Sequence, residues 1–61
     1  MRANVTYEDR EMKKRVTFSD VDGSRVEGGV FYLEAMRAPD DWVDRFAVPV
    51  GRLISVLWED E

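Results

Sequence analysis

Histidine and cysteine are both absent from this 61-residue chain. Acid–base or metal chemistry would therefore rest on carboxylates. Asp20 and Asp22 stand around a Gly23 turn, and Asp40, Asp41 and Asp44 form a second group close in sequence. Asp at such positions has a simpler role, because its side chain bonds to nearby backbone and favours turns. A calcium-binding loop does not fit. Gly23 as its sixth position would put Phe18 at the first ligand and Gly29 at the twelfth, where carboxylates are required. No Ser or Lys lies in a nucleophile motif. The reading is a non-enzymatic chain with no cofactor, no metal and no small-molecule substrate.

Cations offer a second chemistry, anion binding. Lys13-Lys14-Arg15 is the one basic cluster, and Arg37 and Arg52 are scattered further along. Three charges without aromatic neighbours make a poor platform for nucleic acid. The net charge of −4 opposes a nonspecific polyanion binder. Thirteen acidic residues would suit a nucleic-acid mimic, but they are interspersed with nine basic ones and form no rows.

The elements that must position these groups centre on Val16 to Glu34. Val16, Phe18 and Val26 alternate with polar neighbours at the period of a half-buried strand. Asp22-Gly23 is a hairpin signal. A three-residue loop, Val21-Asp22-Gly23, predicts Phe18 opposite Val26 and Thr17 opposite Glu27, keeping like with like on each face. Gly28-Gly29 reads as a sharp bend within a strand that continues through Val30-Phe31-Tyr32-Leu33, with the end of one strand and the start of a loop as the alternative.

Before this hairpin, residues 3–14 fit two descriptions. Val5 and Tyr7 alternate as in a strand. Thr6 and Asp9 have capping-box spacing, and the pairs Asp9–Lys13 and Glu11–Arg15 lie four apart, as in a short helix over roughly Tyr7 to Lys14. After it, residues 34–43 read as a connector through Pro39-Asp40-Asp41, with Trp42 as a lid over one end of the core. Phe46, Val48 and Val50 alternate in a strand that Pro49 confines to a sheet edge or to a position where its missing N–H faces outward. Gly51-Arg52 allows a tight turn, Leu53 to Trp58 forms the last strand, and Glu59-Asp60-Glu61 is a fraying end.

Two of these strands are apolar on both faces. Val30 and Tyr32 oppose Phe31 and Leu33; Ile54, Val56 and Trp58 oppose Leu53 and Leu57. Strands of this kind are normally covered on both sides. A chain this short buries only about 60% of its unfolded surface, so the second face is covered either by the N-terminal segment or by another chain, and in the latter case it is an interface. The expected protein interface is Phe31, Leu33, Leu53 and Leu57, with Trp42 as a further anchor, and the expected partner is a copy of the chain or another protein.

With the Val16-Thr17-Phe18, Asp22-Gly23 and Val26-Glu27-Gly28 elements in place, Val16–Glu34 resembles the first half of an Sm/Lsm-like domain. Val48-Pro49-Val50-Gly51-Arg52-Leu53-Ile54 looks like the turn and final strand of a Src-homology-type barrel. The resemblance implies an all-β fold, a small, strongly bent five-stranded barrel, with the short N-terminal helix as an optional addition. It also implies edge-to-edge pairing of subunits, commonly into rings. The family's base-reading Asn would fall at Ala38, and its Arg-Gly pair is reversed here as Gly51-Arg52. An Sm-like RNA-binding ring would have to use Lys13, Lys14, Arg15, Arg37 and Arg52.

The chain is read as one domain spanning residues 1–61, acidic and soluble. It has no membrane span and no apolar signal-peptide core, and its lack of cysteine is compatible with the cytoplasm. Short acidic chains of this type are frequent among bacteriophage accessory proteins, an analogy that adds binding of a host protein as an expectation.

Overall fold

A computed structural model describes residues 1–60. The all-β class is observed. β1 (Arg2–Asp9), β2 (Met12–Phe18), β3 (Gly23–Glu27), β4 (Val30–Ala38) and β5 (Asp41–Pro49) are followed by a 3-10 turn (Val50–Arg52) and β6 (Leu53–Glu59). They form two antiparallel three-stranded sheets, ordered β2-β1-β6 (sheet A) and β3-β4-β5 (sheet B).

The N-terminal alternative resolves to strand. β1 and β2 pair from Ala3↔Phe18 to Asp9↔Met12, and no helix forms over Tyr7 to Lys14. Asp9 meets Lys14 across the hairpin at 2.9 Å, in place of the helical Asp9–Lys13 pair. Arg10 and Glu11 make the turn with φ of 51° and 67°, although neither is the glycine such a left-handed turn prefers. Pairing with β1 and its burial against sheet B outweigh the local helical signals, which are weak in a segment this short.

The expected β2–β3 hairpin does not form. Phe18 pairs with Ala3, and Val26 pairs with Phe31. Gly23 is the first residue of β3, opposite Glu34, and the hairpin turn lies at Gly28-Gly29 instead. Both of these glycines have positive φ, 58° and 75°, as a two-residue turn of primed type requires. They reverse the chain where the sequence suggested a bend within one strand. Val16 and Phe18 are half-buried, as their alternation predicts, whereas Val26 is exposed. Alternation does not name a partner strand.

Between β2 and β3 the chain passes from one sheet to the other. Asp20 has φ 58°. Val21 and Met1 then exchange reciprocal bonds: Val21 N donates to Met1 O at 2.8 Å, and the Met1 amino group donates to Val21 O at 2.9 Å. The next residue joins sheet B, with Asp22 N donating to Glu34 O at 2.9 Å. The Asp22 carboxylate also accepts from Met36 N at 2.7 Å. Val21, expected in a loop, is fully buried.

Residues 34–43 are strand rather than connector. β4 and β5 pair through to Ala38↔Asp41, closed by Pro39-Asp40 with Asp40 at φ 62°. β5 lies at the edge of sheet B, as Pro49 requires. The Val50–Arg52 turn is tied back by Val50 N donating to Gly29 O at 2.9 Å.

The core lies between the sheets. Ala3 and Val5 of sheet A and Phe31, Leu33 and Val48 of sheet B are buried together with Val21. Phe46 of sheet B meets two rings of sheet A, Tyr7 at a centroid distance of 5.3 Å and Phe18 at 5.0 Å. Tilted ring pairs at this spacing add to the area they bury. Trp42, expected as a lid, is half exposed and takes no place in this core.

Candidate functional site

β6 pairs with β1 on one side and, among the described residues, has no hydrogen-bonded neighbour on the other. Its register is Glu59, Trp58, Leu57, Val56 and Ser55 opposite Arg2, Ala3, Asn4, Val5 and Thr6 in turn. It then breaks, and Leu53 faces Tyr7 with Ile54 as the extra residue. A bulge of this kind moves every later side chain to the other face. Leu53 therefore packs against the core with Val56 and Tyr7, while Leu57 lies on the outer face beside Asn4.

The strand is held to β1 by more than its ladder. Thr17 Oγ1 donates to Asn4 Oδ1 at 2.6 Å, and Asn4 Nδ2 donates to Glu59, giving a polar chain across all three strands of sheet A. Arg2 lies 3.9 Å from Glu59 as well. Glu59, expected to fray, is thereby bonded; Glu61 lies outside the described residues. With its position held, β6 exposes Ile54 (46%), Leu57 (53%) and Trp58 (39%).

The expected interface residues are divided by the fold. Phe31 (7%) and Leu33 (0%) are core residues and present nothing to a partner. Of the two covers that sequence reasoning offered, the N-terminal segment and another chain, the first is observed for Phe31 and Leu33: residues 2–18 form two strands of sheet A and pack over them. Leu53 is half-buried, and Leu57 and Trp42 are exposed. Trp42 stands far along the chain from β6, opposite Met36 on the outer face of the β4–β5 hairpin. Ile54 and Trp58, exposed on the same strand as Leu57, were not singled out by sequence reasoning. The bulge that exposes Ile54 has no local signal in the sequence.

On the outer face of sheet B, Arg25 lies 4.1 Å from the centre of the Tyr32 ring and bonds to three acids. It reaches Asp44 at 2.7 Å and Glu27 at 3.3 Å, and it also bonds Glu34. The Arg25 hydrogen bond holds the Asp44 carboxyl below the ordinary aspartate range. The cation is raised in turn, mostly by Asp44 and Glu34. This is a satisfied network, with its charges directed at one another.

The candidate nucleic-acid residues do not gather. Lys14 is paired with Asp9, which raises its pKa through a hydrogen bond, and Arg37 is paired with Asp41 at 2.8 Å. Lys13 and Arg15 fall on the outer face of β2, the parity opposite to Lys14. Arg52 shares a shallow cavity of about 230 Å³ with Arg10, Glu8 and Glu11, whose charges offset one another. Asp40, Asp41 and Asp44 are not drawn together, since Asp41 and Asp44 serve different arginines. Among the described residues no group of three or more carboxylates is placed to hold a metal, and no helix is long and apolar enough to cross a membrane.

Comparison with protein families, with characterised proteins and with solved structures finds no match to this chain.

Proposed function

We propose that the chain is a non-enzymatic protein-interaction module that associates with itself through β6. The observation that carries this reading is the group of exposed apolar side chains on β6, Ile54, Leu57 and Trp58, along an edge with no neighbouring strand. Unpaired strand edges of this composition are templates for another chain.

Within this reading, β2 and β3 are the two halves of one strand bent at Asp20–Asp22, and the six strands are the five of a small bent barrel. The Met1–Val21 bonds on one side of the bend and the Asp22–Glu34 bond on the other support it. The order is then β6-β1-β2/β3-β4-β5, open between β5 and β6, with a 3-10 turn joining them. The resemblance to Sm-like and Src-homology-type barrels implies five strands with one strongly bent, but its motif set the bend after Gly28, whereas here it falls at Asp20–Asp22 and Gly28-Gly29 is a reversal.

An Sm-like RNA-binding ring is the weaker reading, because Lys14 and Arg37 are already paired and Ala38 offers no hydrogen bond to a base. An acidic mimic is weaker still, with Asp9, Asp41, Asp44 and Glu34 each engaged by a cation. Light scattering at two concentrations tests the leading reading. A mass that rises above 7.1 kDa with concentration, and returns to it in Leu57→Asp, supports self-association; a 7.1 kDa monomer at both concentrations overturns it.

A further inference from the structure

The four sheet edges differ in how they are protected. β2 carries Lys13, Lys14 and Arg15. β3 is five residues long and holds Arg25 and Glu27. β5 holds Asp41 and Asp44, a bulge at Arg45, and Pro49 with no N–H to donate. Charges, shortness, bulges and proline are the devices that keep an edge from pairing. β6 has no charge from Leu53 to Trp58, and beyond its bulge the run from Ser55 to Glu59 keeps an unbroken register with β1.

We propose that β6 of one molecule pairs antiparallel with β6 of a second copy, about a two-fold axis at Leu57, so that sheet A continues as a six-stranded sheet. This rests on the self-association reading and specifies its partner strand and symmetry. An uncharged strand is covered without desolvating a charge only by an equally uncharged strand. On a second copy the β2, β3 and β5 edges all carry charge, and β5 also lacks a donor. The match that remains is β6 itself, which makes the contact self-complementary and closed at two subunits.

The register follows from parity and charge. Opposed residues share a face, so the axis must pass at a residue. The regular run Ser55–Glu59 is centred on Leu57. With the axis there, Leu57 meets the partner's Leu57 on the outer face, Trp58 meets the partner's Val56 on the inner face, and Glu59 meets the partner's Ser55. The two Glu59 carboxylates are then about 14 Å apart along the strands, beyond the screening length of about 8 Å. An axis at Trp58 would halve that separation and set Glu59 against the partner's Leu57. An axis at Val56 would set Trp58 against the partner's irregular Ile54.

Cysteine cross-linking tests this in a chain that has no cysteine of its own. Leu57→Cys under mild oxidation is expected to give a covalent dimer. Val26→Cys, at a site of similar exposure on the β3 edge (64%), is expected to remain unlinked. Light scattering of the unmodified chain over a wide concentration range should approach twice 7.1 kDa and stop there. Leu57→Lys should hold it at the monomer mass with an unchanged far-ultraviolet dichroism spectrum, and Ser55→Lys repeats the test if that variant misfolds. A mass beyond two chains, or a Leu57→Cys variant that links no better than Val26→Cys, overturns the two-fold pairing and leaves self-association standing. A monomer at every concentration removes both.

Discussion

Leu53 and Leu57, four residues apart on one strand, lie on opposite faces of sheet A. Strict alternation would place them on the same face. The extra residue at Ile54, between the Ser55↔Thr6 and Leu53↔Tyr7 pairs, reverses the parity. One leucine thus serves the core and the other is left at the surface.

The two leucines should therefore respond differently to truncation. In urea titrations at a concentration low enough to exclude association, Leu53→Ala should lower stability by about 1–2 kcal/mol, below the usual cost for a fully buried leucine because Leu53 is half-buried. Leu57→Ala should stay within about 0.5 kcal/mol of the parent chain. Equal losses would mean that the bulge does not separate them.

Phe46 is the ring that joins the sheets, through Tyr7 and Phe18. Removing it in Phe46→Ala should cost about 2–3 kcal/mol, somewhat under the range for a fully buried phenylalanine. Chemical denaturation gives the value. A loss below about 1 kcal/mol would remove Phe46 from the energetic centre of the fold.

The Arg10-Glu11 turn holds two non-glycine residues at positive φ. Left-handed backbone costs roughly 1 kcal/mol per such residue, and Asn-Gly is the favoured pair for this turn. The double substitution Arg10→Asn with Glu11→Gly should raise the thermal midpoint by several degrees, since about 1 kcal/mol corresponds to roughly 4–8 °C in a domain of this size. The converse substitution, Gly29→Val at φ 75°, should lower it.

The Asp44–Arg25 bond predicts a pH dependence. The folded Asp44 carboxyl sits below its ordinary range because Arg25 bonds its charged form. The contribution is fully present above the unfolded value of about 3.9 and is lost as pH falls through the lower folded value. Asp44 is exposed, so the effect is small and weakened by salt. Stability curves of the parent chain and Asp44→Asn should differ at neutral pH and converge as pH falls through the lowered folded value. Curves that stay parallel across the acid range would show that the bond contributes nothing.

Composition and alternation alone determined a good deal here. They marked strands around Val16–Phe18, Val30–Leu33, Phe46–Val50 and Leu53–Trp58, with Pro49 at an edge, and left residues 3–14 open between strand and helix. These are local matters: period-2 patterning, β-branched and aromatic residues, and a proline without a donor leave their mark on neighbouring residues. Tertiary structure decided which strand each one faces. Val16 and Phe18 alternate equally well against β1 or β3, and only burial of Ala3 and Val5 against sheet B selected β1. The same packing turned residues 3–14 into a hairpin, made Gly28-Gly29 a reversal, and enclosed Phe31 and Leu33, which from the sequence looked free to meet a partner. One extra residue at Ile54 then put Leu53 on the core face while Leu57 stayed on the outer one, a displacement visible only when two strands are laid side by side.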